Sequence, residues 1–219
     1  MKKMFKLLVV ALAVSVPAYL FAAAPPEPVK GQVMVKDNFS GKKISDLWTI
    51  TTGGEVTVTQ ADGSMRIYGP YLGYAQNGGN VLSAKAVPAN DFRYSVDILE
   101  PGANSTLGTY ACINVNSDNG TFATVQHWAG AYRLAYGTPS GWTAVYMPEF
   151  GDESTTWHNY KIVYDSVNKT VTAYVDEKQL GPVQHDLGAN VYFGFFAHGS
   201  SAGTLLDVIV DNAVMLYKK

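Results

Sequence analysis

FRYSVDILE, residues 92–100, is the stretch on which the reading of the fold turns. Phe92, Tyr94, Val96 and Ile98 alternate with Arg93, Ser95, Asp97 and Leu99. A period of two puts the first set on one face of a pleated strand and the second set on the other. Pro101-Gly102 then closes the run as a turn. The following segment, LGTYACINVN (107–116), repeats the pattern. Leu107, Thr109, Ala111, Ile113 and Val115 form its expected core face, and Tyr110, Cys112, Asn114 and Asn116 its polar and aromatic face.

Outward from this pair the same grammar continues. Strand patterns are expected at 33–39, 55–59, 64–69 and 81–87 before it. They recur at 121–129, 132–137, 142–147, 157–165, 170–176, 191–198 and 204–218 after it. Between them stand Gly53-Gly54, Asp62-Gly63, Asn77-Gly78-Gly79, Asn119-Gly120 and Pro139-Ser140-Gly141, residue types that accept turn dihedrals. No window holds a helical period. Many short strands at near-regular spacing predict an all-β, antiparallel two-sheet sandwich. With no mid-chain linker and no internal repeat, residues 33–219 are expected to form one domain.

The first 24 residues read differently. Lys2, Lys3 and Lys6 precede an apolar run, LLVVALAVSVPAYLF, and Ala22-Ala23-Ala24 offers a cleavage site. This is the layout of a bacterial-type secretory signal, too short for a membrane span. The expected product is periplasmic or extracellular, with no membrane span after cleavage, and starts in a Pro-rich spacer over 25–32. The single cysteine, Cys112, excludes an intrachain disulfide and reads as a small buried residue. The formal charge of −2 and the scattered Lys and Arg leave no basic stripe for nucleic acid.

Three motifs carry a family resemblance over about 37–217. The first is DNFSGKKISDLWTI, with Asp37, Phe39, Ser40, Gly41, Leu47 and Trp48. The second pairs Trp157, His158, Tyr160 and Ile162 with Tyr174, Val175 and Asp176, with Glu177 where glycine is usual. The third is Asp211 in VIVDNAVMLY. Together they resemble the concanavalin A-like lectins and glucanases, in particular the laminin G-like domains. The resemblance implies a jelly roll with one concave face, and Trp48 and Trp157 in structural roles. It also implies a structural calcium held by Asp37, the Gly41 carbonyl and Asp211; such an ion takes about 6–8 oxygens.

Glucanases of this fold carry Glu-x-Asp-x-x-Glu, and SVDILE (95–100) resembles that motif with Ser95 in the nucleophile's place. A retaining mechanism needs two carboxyls about 5 Å apart. Without the first glutamate, the expectation is a non-catalytic module, with no catalytic residue. Asp152 and Glu153 read as solvated loop residues, and the four histidines lack zinc-ligand spacing. The expected partner is a glycan or surface polysaccharide. Tyr110, Asn114, Gln126, Trp128, Arg133, Trp142 and Tyr146 would contact it, aromatic planes taking sugar C–H faces and polar groups taking hydroxyls. Two alternatives stand beside this adhesion or binding module. One is a glycoside hydrolase acting on a polysaccharide or disaccharide through carboxylates from scattered loops. The other is a structural envelope or matrix protein.

Overall fold

A computed structural model describes residues 31–73, 78–101, 109–128, 130–147, 155–199 and 201–219. In chain order the strands are β1 (Gln32–Asp37), β2 (Trp48–Thr52), β3 (Thr57–Ala61), β4 (Ser64–Pro70), β5 (Gly79–Ser83) and β6 (Val87–Pro88). They continue as β7 (Phe92–Leu99), β8 (Thr109–Ser117), β9 (Phe122–Trp128), β10 (Ala131–Thr138) and β11 (Gly141–Met147). The last are β12 (His158–Asp165), β13 (Thr170–Val175), β14 (Lys178–Gln184), β15 (Asn190–Gly199) and β16 (Leu205–Lys218). Among the described residues no helix is long and apolar enough to cross a membrane.

The strands form two antiparallel sheets of eight. One runs β14-β13-β12-β7-β16-β4-β3, with β1 also on β16; the other runs β11-β10-β9-β8-β15-β5-β2, with β6 also on β15. This is the expected antiparallel two-sheet jelly-roll sandwich. Alternation explains why the sheets face each other. Tyr94, Val96, Ile98, Tyr160, Ile162, Val208 and Val210 come from the first sheet; Ile113, Val115, Val125, Leu134, Phe193 and Phe195 come from the second. All are buried in one apolar cluster. Near one end Phe39, Trp48 and Phe195 meet, with ring centroids 5.4–6.2 Å apart.

Strand β16 serves two sets of partners because it changes phase midway. Its register against β7 shifts between Asp211 and Val214. Asn212 takes a positive φ of 50° there, a conformation asparagine tolerates better than most side chains. Before the bulge β16 pairs β4, and after it β1. Asn212 Nδ2 donates to Asp97 Oδ2 at 3.0 Å and so pins the bulge to β7.

The C-terminal end of β16 is clasped by Asp91. Its carboxylate accepts the Ser166 N–H at 3.0 Å, the Ser166 hydroxyl at 2.7 Å and the Lys218 ammonium. Lys218, then Ser166, hold the acid down at about 2, against an ordinary 3.8. A depressed carboxylate contributes stability above its unfolded pKa and loses it as pH falls toward the folded one. Asp91→Asn is therefore expected to unfold more easily than the parent at pH 6, by roughly 0.5–1 kcal/mol for a partly exposed pair. The difference should close between about pH 4 and pH 2 in urea titrations; a gap that persists at pH 2 would show that the charge is not the cause.

Candidate functional site

The outer face of the second sheet is grooved. On β8 the inward Ala111, Ile113 and Val115 leave Tyr110, Cys112, Asn114 and Asn116 on the outside. On β9 the same rule places Thr124, Gln126 and Trp128 outside, and on β10 it places Arg133. Trp142 and Tyr146 on β11 stand opposite Gly137 and Arg133. On β15 the inward Phe193, Phe195 and Ala197 put Phe196 and His198 on the groove side.

Two recesses share Gln126, Phe196 and His198 and so make one groove across the sheet. The first, of about 290 Å³, has an amide floor of Asn80, Asn114 and Asn116 beside Thr124 and Phe122. The Asn80 and Asn114 carbonyl oxygens are buried without a hydrogen-bond partner. Asn114 is 4% exposed. Gly194 makes room for it: a Cβ there would lie 3.0 Å from Asn114 Oδ1 and 2.3 Å from the Val81 carbonyl.

The second recess, of about 350 Å³, is aromatic and cationic, lined by Tyr110, Trp128, Arg133 and Trp142. Tyr110 stacks on Trp128 at 3.7 Å and 9°. The Arg133 guanidinium lies 4.3 Å from the Trp128 ring centre and 5.3 Å from that of Trp142. A ladder of ring, ring, cation and ring thus crosses from β8 to β11. Arg133 Nε donates to Gln126 Oε1 at 2.7 Å and Nη1 to the Tyr146 hydroxyl at 3.2 Å. The outermost ring, Trp142, is 59% exposed. Burial lowers the pKa of His198, which keeps its ring neutral near pH 7; its Nε2 lies 3.0 Å from the Tyr71 hydroxyl.

All seven positions expected to meet a glycan thus share this face, with one adjustment. Trp128 is no platform for a sugar, since Tyr110 takes one side of its ring and Arg133 the other; Trp142 offers the open plane. Asn80, Phe122, Phe196 and His198 were not among the expected residues. The alternation of VYFGFFAH (191–198) carried the signal for the last two.

SVDILE requires a correction. Ser95 lies on β7, in the sheet opposite the groove, paired with Lys161 and Val214. It does not occupy a position from which a nucleophile could reach the groove, so its identity says nothing about catalysis there. Asp97 faces outward and accepts from Asn159 Nδ2 at 2.7 Å. Glu100 turns into the core, 1% exposed, and burial raises its pKa. Tyr160 donates to it at 3.4 Å, and His127 Nδ1 lies 3.3 Å away without hydrogen-bond geometry. This cluster lies on the core side of the sheet, out of a substrate's reach. Among the described residues no Asp or Glu lines either recess; Asp152 and Glu153 lie outside the described residues.

The oxygens of the expected calcium positions are engaged by protein donors. Asp37 accepts the Phe39 N–H at 2.8 Å and the Trp48 indole N–H at 2.8 Å. The Gly41 carbonyl accepts the Gln60 amide at 2.7 Å, and Asp211 accepts the Asn212 N–H at 2.6 Å. Among the described residues no cluster of three or more His, Cys, Asp or Glu could hold a metal. Trp48, hydrogen-bonded and packed on Phe195, fills its expected structural place; Trp157 is 47% exposed.

No family model matches the chain, and no curated protein matches it in sequence. Solved structures do share its fold. A Bacillus licheniformis β-glucanase superposes with a TM-score of 0.60 at 13% identity, covering 85% of this chain and 98% of its own. A Clostridium perfringens endo-β-galactosidase that releases GlcNAcα1-4Gal gives 0.66 at 13%, covering 90% and 65%. The laminarinase catalytic domain of Thermotoga maritima MSB8 gives 0.66 at 10%, covering 87% and 99%. These neighbours count against the expected non-catalytic binding or adhesion module and favour its glycoside-hydrolase alternative, because all three are named as glycan-cutting enzymes; at 10–13% identity, what they share with this chain is the fold. The reason for refusing an enzyme, Ser95, has already failed on position.

Gly137 sets how closely β11 carries Trp142 to the ladder, since a Cβ there would lie 2.5 Å from the Cβ of Trp142 and from the Gly141 carbonyl. Gly137→Ala is expected to cost about 1–3 kcal/mol of stability and to change tryptophan fluorescence as Trp142 moves. An unchanged spectrum with full stability would mean that β11 yields freely.

Proposed function

We propose that this chain is a glycoside-cleaving enzyme acting on a polysaccharide laid along the groove of the β11–β2 sheet. The observation that carries the reading is the groove itself, with an exposed aromatic plane at one end and buried, unpartnered amide oxygens at the other. Sugars match that combination: C–H faces pack on aromatic rings, and hydroxyls donate to acceptors a dry recess leaves unfilled. An open groove, rather than a closed pocket, admits a chain at internal bonds. The glucanase, laminarinase and endo-galactosidase neighbours support the same substrate class.

Hydrolysis needs an acid and a second carboxylate about 5 Å apart with retention, or about 6.5–9.5 Å apart with inversion. The groove-lining side chains named above supply neither. Their part is to bind and orient the chain and to exclude water around it. Export by residues 1–24 belongs to the same proposal, since a polysaccharide is met outside the cytoplasm.

The mature chain, incubated with β-linked glucans and galactans, is expected to generate new reducing ends with an early fall in viscosity. Trp142→Ala should raise KM by roughly two- to tenfold, the worth of an aromatic contact beyond its area. Absence of new reducing ends from every β-linked glucan and galactan tried, neutral, sulfated or uronate-containing, by a folded preparation, would sink the reading.

A further inference from the structure

Among the described residues Arg133 is the charged residue of the groove, and none of them answers its charge. The residue is 7% exposed. None of the described carboxylates forms an ion pair with it. Its hydrogen bonds go to an amide oxygen and a phenol, both neutral. The Trp128 and Trp142 rings stabilise the cation through their faces but leave its charge intact. A buried charge without a counter-ion is costly to desolvate. A scaffold needing only a spacer between two indoles would be served as well by methionine or leucine. The guanidinium has five N–H groups, of which Gln126 and Tyr146 occupy two, so donors remain for a ligand.

We propose, building on the glycan-cleaving reading above, that the groove selects an acidic polysaccharide, seating a sugar carboxylate or sulfate on Arg133. The planar fork of the guanidinium matches either oxyanion, with charge-assisted hydrogen bonds about twice as strong as neutral ones. The adjoining recess fits the rest of such a chain. Asn80 Oδ1 and Asn114 Oδ1 are acceptors awaiting donors, which sugar hydroxyls supply. The neutral His198 between the recesses adds no competing charge. Trp142 offers its open plane to the sugar beside the charged one.

The test measures binding and turnover separately, using three sets of oligosaccharides: uronate-containing, sulfated and neutral. Binding is read by calorimetry at low and high salt. The expected result is that one acidic set binds roughly tenfold or more tighter than the neutral set, with the advantage shrinking as salt rises. Arg133→Met, checked for folding by its thermal transition, should abolish that advantage, and Arg133→Lys should retain part of it. The uronate and sulfate sets decide which anion is held. Equal binding of acidic and neutral sets, or an acidic preference that survives Arg133→Met, would overturn the inference. Should Arg133→Met fail to fold, the Lys variant and the salt dependence of the parent decide alone. Turnover reports on the other reading: cleavage of neutral chains with no acidic preference sinks this inference and keeps the enzyme. Acidic preference without cleavage does the reverse.

Discussion

Everything on the grooved face depends on the register of β15. This strand is hydrogen-bonded to β8 from Val191 to Gly199 and to β5 from Gly194 to Ala197. Its inward row of Val191, Phe193, Phe195 and Ala197 is sealed in the core. A slip of one residue would exchange that row for Tyr192, Gly194, Phe196 and His198, burying a histidine and exposing three large apolar groups. The packing energy of the core therefore also sets the chemistry of the groove. Phe196 and His198 lie in the groove because their neighbours cannot leave the core.

That coupling explains how much could be read in advance. Alternation is local, so the inward sets of β7 and β8 are visible in residues 92–116 without any structure. For the same reason the expected contact residues on β8, β9, β10 and β11 all emerge on one face. Which sheet a strand joins is not local: β7 pairs with β12 and β16, 60 or more residues later in the chain. Hence SVDILE, one residue short of a catalytic pattern in spelling, also stood in the wrong layer. Strand β14 was not among the expected strands; its Pro182 lies on a sheet edge, where proline's missing N–H costs nothing. The exposure of Trp157 was equally out of reach, since it depends on what packs across from it.

The interior is not uniformly apolar. Glu100, His127, Tyr132, His158 and Tyr160 gather toward one end of the sandwich, and His158 leads to Asp176 at the surface. Their strands, β9, β10 and β12, come from both sheets, so these polar groups bridge the layers where aliphatic side chains do so elsewhere. Between the sheets the contacts here are Tyr132 edge-on to His158 and Tyr160, and His127 beside Glu100. The groove and this seam occupy opposite faces of the same strands: Gln126 and Trp128 flank His127 in sequence, and Arg133 follows Tyr132.

Cys112 belongs to the grooved face, paired with Gln126 on β9 and Phe196 on β15. Its thiol is fully buried on the groove side of β8, against Thr124 and Gln126, and burial pushes its pKa well above the ordinary thiol value. Thiolate is the species that oxidants and alkylating reagents attack, so in the folded chain this sulfur is chemically silent. It becomes reactive only when β8 and β9 part. The rate of its modification is thus a clock for local opening of the grooved sheet, one that a chain bound in the groove would slow and that needs no added label.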